Sequence, residues 1–170
     1  ILLSACGPAP TPVATSVAVP GGKYVIGYYP SWVAARNVFV KDVPAHKLTH
    51  INYAFSNVSA NGECVLGDPA ADVEQVHSGA QSVDGLDDPQ SAAFHGNFNQ
   101  LLKLKQKYPD LKVLISIGGW SWSGNFSSAA QDDVSRQRFA ASCIDLYLKQ
   151  YQGVFDGLDI DWEFPVSGGL

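Results

Sequence analysis

The chain lacks any run of roughly eighteen apolar residues, the length a helix needs to cross a bilayer, so nothing in it reads as a membrane span. Positive charge is scarce as well. Lys and Arg total 11 against 16 Asp and Glu, a net charge of −5. That balance gives no attraction to nucleic acid or to an anionic membrane, and it leaves a neutral polymer as an acceptable ligand. Histidine is limited to His46, His50, His77 and His95, none at metal-ligand spacing. His50, at the centre of an expected strand, reads as a hydrogen-bonded core residue. Methionine is absent, even at position 1, and residues 165–170 read as a loop that leads nowhere. The expectation is an N-terminal piece of a longer protein. What is present suits a folded domain: 46% hydrophobic and 16% charged residues over 170 positions, enough for one real core.

Residues 1–6, Ile-Leu-Leu-Ser-Ala-Cys, resemble the end of a bacterial lipoprotein signal peptide, in which the cysteine, here Cys6, takes lipid and becomes the mature N-terminus. Residues 7–22 are rich in Pro, Ala, Thr, Ser and Val, without charge or helical period, as an extended tether would be. These two stretches place the protein outside the cell or on its surface, with membrane contact only through a lipid anchor at Cys6. Cys64 and Cys143 remain. In an exported protein a disulfide between them is allowed, and two buried thiols fit equally well.

The folded part begins at residue 23. Residues 23–32 read as a strand ended by Pro30, 41–47 as a short helical turn, and 48–55 as a second strand. Residues 56–89 show no clean period, and Gly, Asp and Pro recur; a loop of that length is usually functional. A helix is predicted over 91–108, with Phe94, Phe98, Leu101, Leu102 and Tyr108 on one side. The apolar run 113–117 fits a parallel strand buried on both faces. A second long helix is predicted over 134–152, with Ala140, Cys143, Ile144, Tyr147 and Tyr151 at heptad-like spacing and Gly153 as its stop. Strands separated by helices in this order are the grammar of a parallel α/β sheet.

The last strand, 155–164, carries four carboxylates within eight residues. With a period of two, Gly157, Asp159, Asp161 and Glu163 share one face, and Leu158, Ile160, Trp162 and Phe164 share the other. Same-face neighbours sit roughly 6–7 Å apart. Carboxylates this close cannot all ionise at neutral pH, so at least one holds its proton. A proton held beside an ionised partner is the condition for general acid catalysis.

Asp156-Gly157-Leu158-Asp159-Ile160-Asp161-Trp162-Glu163 matches the pattern D-G-x-D-x-D-x-E at every fixed position, and so resembles the family 18 glycoside hydrolases, the chitinase family. Ser116-Ile117-Gly118-Gly119-Trp120 matches the S-x-G-G motif of that family's third strand, where glycine permits close approach of a ligand or neighbouring strand. The likeness to bacterial secreted chitinases extends from about residue 23 to the end, through 27–32, 49–55 and 162–170. It implies a (β/α)8 barrel of which this chain holds about the first four strands, with function at the strands' C-terminal ends. It implies hydrolysis of chitin or chitooligosaccharides, β-1,4-linked N-acetylglucosamine chains, by a retaining, substrate-assisted route without cofactor or metal. Carried over by position, Glu163 protonates the glycosidic oxygen and later serves as base for water. Asp161 orients the substrate's N-acetyl group, whose carbonyl oxygen attacks the anomeric carbon. Asp159 shares a proton with Asp161, Tyr28 and Ser116 hold Asp159 ionised, and Asp156 is a supporting residue. Tyr28, Trp32, Phe55 and Trp120 are candidate sugar platforms beside Gly119. Two alternatives remain at this stage, an endo-β-N-acetylglucosaminidase acting on glycoprotein glycans and a chitin-binding lectin without catalysis. With half a barrel, the chain alone is expected to be inactive.

Overall fold

The computed structural model describes residues 22–169, so Cys6 and the tether lie outside the described residues. Its strands are β1 (Ile26–Pro30), β2 (His50–Val58), β3 (Cys64–Val65), β4 (Lys112–Gly118) and β5 (Gly157–Asp161). Its α-helices are α1 (Gly96–Lys107), α2 (Phe126–Ala130) and α3 (Asp133–Cys143). The sheet order is β1-β2-β4-β5, all parallel, with β3 paired antiparallel to the end of β2. This is the expected parallel α/β arrangement, the start of a (β/α)8 barrel. Between β1 and β2 lie 3₁₀ turns at Ser31–Arg36, Val40–Asp42 and Ala45–Lys47, where the sequence predicts only one short turn.

The main core lies between the sheet and α1. Ile51, Tyr53, Val113, Ile115 and Ile117 come from the strands, and Phe98, Leu101 and Leu104 from the helix. Phe98 is the hub, with its ring edge-on to Tyr53 at 5.4 Å, Tyr151 at 5.1 Å and Phe155 at 4.9 Å. Such edge-to-face pairs add to the area they bury.

Four boundaries differ from the sequence reading. The first helix starts at Gly96 and not at residue 91, because the preceding backbone is used elsewhere: His95 N–H bonds Val73 O and Gly96 N–H bonds Gln75 O, each at 2.8 Å. Gly96 has φ +62°, and a Cβ there would stand 2.5 Å from the Asp72 carbonyl. Phe94 therefore sits outside the helix, against Tyr151. The second long helix starts with the Asp132 carboxylate capping Ser135 N–H and changes at Ile144–Gln150 into wider π turns. Along this helix Cys143, Tyr147 and Tyr151 are buried while Ala140 and Ile144 are exposed. The second strand runs on to Val58 and turns back into β3, a hairpin hidden from the sequence by its two-residue return strand. The acidic strand is shorter than expected and stops at Asp161, so Glu163 stands just beyond it.

Cys64 and Cys143 are joined, tying that hairpin to α3 across 79 residues of chain. The long segment after the hairpin is pinned by buried polar side chains. Asp88 accepts from Gln100, Asn99 and Lys103, each at 2.9 Å. Among the described residues no helix is long and apolar enough to cross a membrane.

Candidate active site

Parallel strands point alternate residues to one side, and in this sheet Tyr28, Asn52, Ser116 and Asp159 meet there. Asp159 Oδ2 accepts three bonds: from Ser116 Oγ at 2.8 Å, Asn52 Nδ2 at 3.0 Å and Tyr28 Oη at 3.1 Å. One donor comes from each of the other parallel strands. Ser116 is wholly buried and Asn52 nearly so, so these donors cannot turn to water. Burial raises the Tyr28 hydroxyl, the Asp159 and Asp161 charges add to that, and the Asn52 bond opposes it.

Asp161 stands two residues on, at the top of β5. Burial holds its carboxyl above the usual carboxylate range, and the neighbouring Glu163 and Asp159 charges push the same way. Glu163 follows, and its position is set through the backbone. Ser123, 1% exposed, accepts the Glu163 N–H at 2.9 Å and donates to Gly119 O at 2.9 Å. Gly119 N–H in turn bonds Asp161 O at 2.8 Å. The end of β4 is thus stitched to the end of β5, and glycine makes the approach possible. A Cβ on Gly118, whose φ is +105°, would lie 2.5 Å from Asp161 O. The Ala54–Phe55 and Glu163–Phe164 peptides beside the site are cis.

Asp156 lies at the opposite end of β5. It accepts Val113 N–H at 2.8 Å and pairs with Lys105 at 2.9 Å. Burial works to raise its carboxyl, but the Val113 bond and the Lys105 and Lys112 charges outweigh it and hold it low. It supports the strand from below and is remote from the other three acids.

The aromatic residues form a groove of about 390 Å³ lined by Trp32, Phe55, Gly118, Trp120, Ser121 and Trp122. Trp120 and Trp32 are 58% and 48% exposed, so each offers a free indole surface. Phe55 is the backing. Trp32 stacks on it at 6.2 Å, Tyr28 leans on it at 6.4 Å, and a Cβ on Gly119 would meet its ring at 2.9 Å. On the other side of β5, Trp162 stacks on Phe126 at 5.4 Å and anchors the strand to α2.

Sequence reasoning missed Asn52, Ser123 and Trp122. Asn52 carried a usable signal, an amide set directly between the apolar Ile51 and Tyr53 of a central strand. Trp122 becomes a wall only because Gly67 lets the distant loop close on it; a Cβ there would lie 2.5 Å from its ring. Among the described residues, no three His, Cys, Asp or Glu side chains converge as a metal site requires.

The sequence profile of glycosyl hydrolases family 18 matches residues 24–168. The chain is 46% identical over 156 residues to Chitinase C of Streptomyces lividans, covering 88% of this chain and 25% of that protein. It is 41% identical to Chitinase A1 of Niallia circulans, covering 86% of this chain and 24% of the other. Among solved structures, the catalytic domain of psychrophilic chitinase B from Arthrobacter TAD20 superposes with a TM-score of 0.80 at 38% identity, covering 86% of this chain and 42% of that one. The Group IV chitinase of Ostrinia furnacalis in complex with allosamidin gives 0.67 at 32%, covering 86% and 34%. The chain spans about a quarter of the length of these curated relatives.

Proposed function

Because this chain belongs to family 18 of the glycosyl hydrolases, we propose that the protein carrying it hydrolyses chitin and chitooligosaccharides with retention of configuration, the substrate's own acetamide acting as nucleophile. Glu163 gives its proton to the glycosidic oxygen as the bond to the anomeric carbon breaks. The acetamide carbonyl oxygen closes on that carbon from the other face, held by Asp161. Water then opens the resulting ring, and Glu163 takes the proton back.

The observation that carries this reading is the unequal treatment of neighbouring acids on one face. Asp159 receives three donors, which suits a fixed anion. Asp161 stands between two other acids, and burial together with the Glu163 and Asp159 charges raises its affinity for a proton, which makes it a strong hydrogen-bond acceptor. The acetamide N–H donates to the Asp161 carboxylate, whose negative charge stabilises the positive charge that develops on that nitrogen and leaves the carbonyl oxygen free to attack. Trp32 and Trp120 supply flat faces for successive sugar rings.

The test is Glu163→Gln in the protein expressed from its full reading frame. The amide keeps the shape and cannot donate the proton, so kcat falls at least ~10²-fold while chitin binding persists. Hydrolysis within a few-fold of wild type would remove Glu163 from the acid role. The same reading sets the protein outside the cell, anchored through lipid on Cys6. Cys6→Ala is then expected to release it from the membrane fraction; unchanged membrane association with normal export would contradict the anchor.

A further inference from the structure

Glu163 stands where the sheet no longer holds the chain. The ladder between β4 and β5 ends at the pair Gly118 and Asp161, so the amide of Glu163 falls beyond the last strand pairing. The end of β5 is gripped instead by the segment 119–126. Gly119 N–H donates to Asp161 O at 2.8 Å. The ring of Phe126 stacks on Trp162 at 5.4 Å. At Glu163 itself the grip is a hydroxyl, with the Glu163 N–H donating to Ser123 Oγ at 2.9 Å.

That hydroxyl is itself locked. Ser123 is 1% exposed, so it cannot trade its partners for bulk water. Its proton goes to Gly119 O at 2.9 Å, with Asp161 O the next acceptor at 3.3 Å. Gly119 O also accepts the Trp122 N–H, and Ser123 O accepts the Phe126 N–H, each at 3.2 Å. The turn is therefore tied at both ends, and a fixed acceptor fixes whatever donates to it. The carboxyl of Glu163 rides on a stem of single bonds, so where its proton points begins with where its backbone is held. Alanine at 123 would leave the Glu163 N–H without this acceptor. A misplacement of about 1 Å at a reacting group can cost on the order of a hundredfold in rate.

We propose that Ser123 is a positioning residue for the proton transfer: its hydroxyl holds the backbone of Glu163 at the height from which the carboxyl reaches the glycosidic oxygen. The role rests on the hydrolase reading above and adds to it a residue that touches neither substrate nor reacting atoms. It acts on one step. A sugar departs as an alcohol only with the proton that Glu163 gives it. A leaving group that is stable as an anion needs no proton, and its departure is indifferent to where Glu163 stands.

The experiment uses the protein from its full reading frame and measures kcat/KM on two substrates, a chitin tetramer and dinitrophenyl chitobioside, whose aryl group leaves without a proton. Ser123→Ala is expected to lose about 30-fold on the tetramer and less than about threefold on the aryl substrate. Ser123→Cys keeps the volume with a weakly bonding thiol. It should fall between wild type and alanine on the tetramer, and it carries the test alone if the alanine variant does not fold. Glu163→Gln is the reference, because loss of the acid itself must spare the aryl substrate more than the tetramer. Equal losses on the two substrates in the serine variants would mean that Ser123 only supports the fold, and no loss on either would mean that it does nothing for the acid; both overturn the proposal. If Glu163→Gln loses equally on both substrates, the hydrolase reading fails at its acid first and takes the role of Ser123 with it.

Discussion

Asn52 and Tyr53 are neighbours on β2, face opposite sides of the sheet, and each binds an aspartate. Asn52 points to the inner side, where Asp159 is held by side chains from three strands at the edge of an open groove. Tyr53 points outward into the packed layer under α1, where its hydroxyl donates to Asp72 at 2.5 Å and accepts from Asn97 at 3.1 Å. Asp72 is 1% exposed. Burial pushes its carboxyl up to about 6, and bonds from Tyr53 and from backbone N–H groups only partly offset that. The same pairing of a carboxylate with neutral donors thus serves two ends. On the inner side it holds Asp159 in place beside Asp161; on the outer side it fastens a long loop to the sheet.

Removing one donor on each side separates the two roles. Ser116→Ala deletes one of the three bonds to Asp159 and is expected to lower kcat about tenfold, from the loss of a charged hydrogen bond, with little change in unfolding temperature. Tyr53→Phe strips the buried Asp72 of its hydroxyl donor and is expected to cost about 2–3 kcal/mol of stability while leaving activity per folded molecule near wild type. Thermal unfolding and steady-state rates on both variants check the pair. If Ser116→Ala proved the destabilising change and Tyr53→Phe the inactivating one, the division of labour would be reversed.

The outer half also carries a pH dependence. The folded carboxyl of Asp72 titrates near 6, against 3.8 for an unperturbed one. Between those values the native state binds more protons at this site than the unfolded state, so its contribution to stability is full below about pH 4 and is lost as pH rises through 6. The loss amounts to about 3 kcal/mol. Asp72→Asn does not titrate. Denaturant unfolding across pH 4–7 should therefore show wild type losing ground against Asp72→Asn as pH rises. Parallel curves would mean that the carboxyl is not held protonated.

Much of the inner side was legible because strand periodicity is simple. Asp159, Asp161 and Glu163 fall on one face by counting in twos, and the buried run 113–117 predicts a central parallel strand. The parts that escaped depend on where distant segments meet. Ser123 is one more serine in a Gly- and Ser-rich turn until the fold brings it under Glu163. Phe55 reads as a platform by its place at a strand end, yet Trp32 and Gly119 cover it and make it the backing of one. Asp72 looks like a loop acid; only the closure of its segment onto Tyr53 and Gly96 buries it. Helix starts were misjudged for a related reason. The apolar period extends back to Phe94, but pairing of residues 95 and 96 with 73 and 75 claims the backbone first.

In the proposed mechanism the acetamide of the cleaved sugar is the nucleophile, and Asp161 and Glu163 serve it. The most direct measurement is the identity of the unit at each newly formed reducing end when the protein from its full reading frame digests a half-deacetylated chitin polymer. Only an N-acetylated unit carries the attacking oxygen, so every new reducing end should be N-acetylglucosamine, whatever stands further along the chain. Glucosamine at the new reducing ends, in proportion to its abundance in the polymer, would show that the protein itself supplies the nucleophile and would contradict the mechanism.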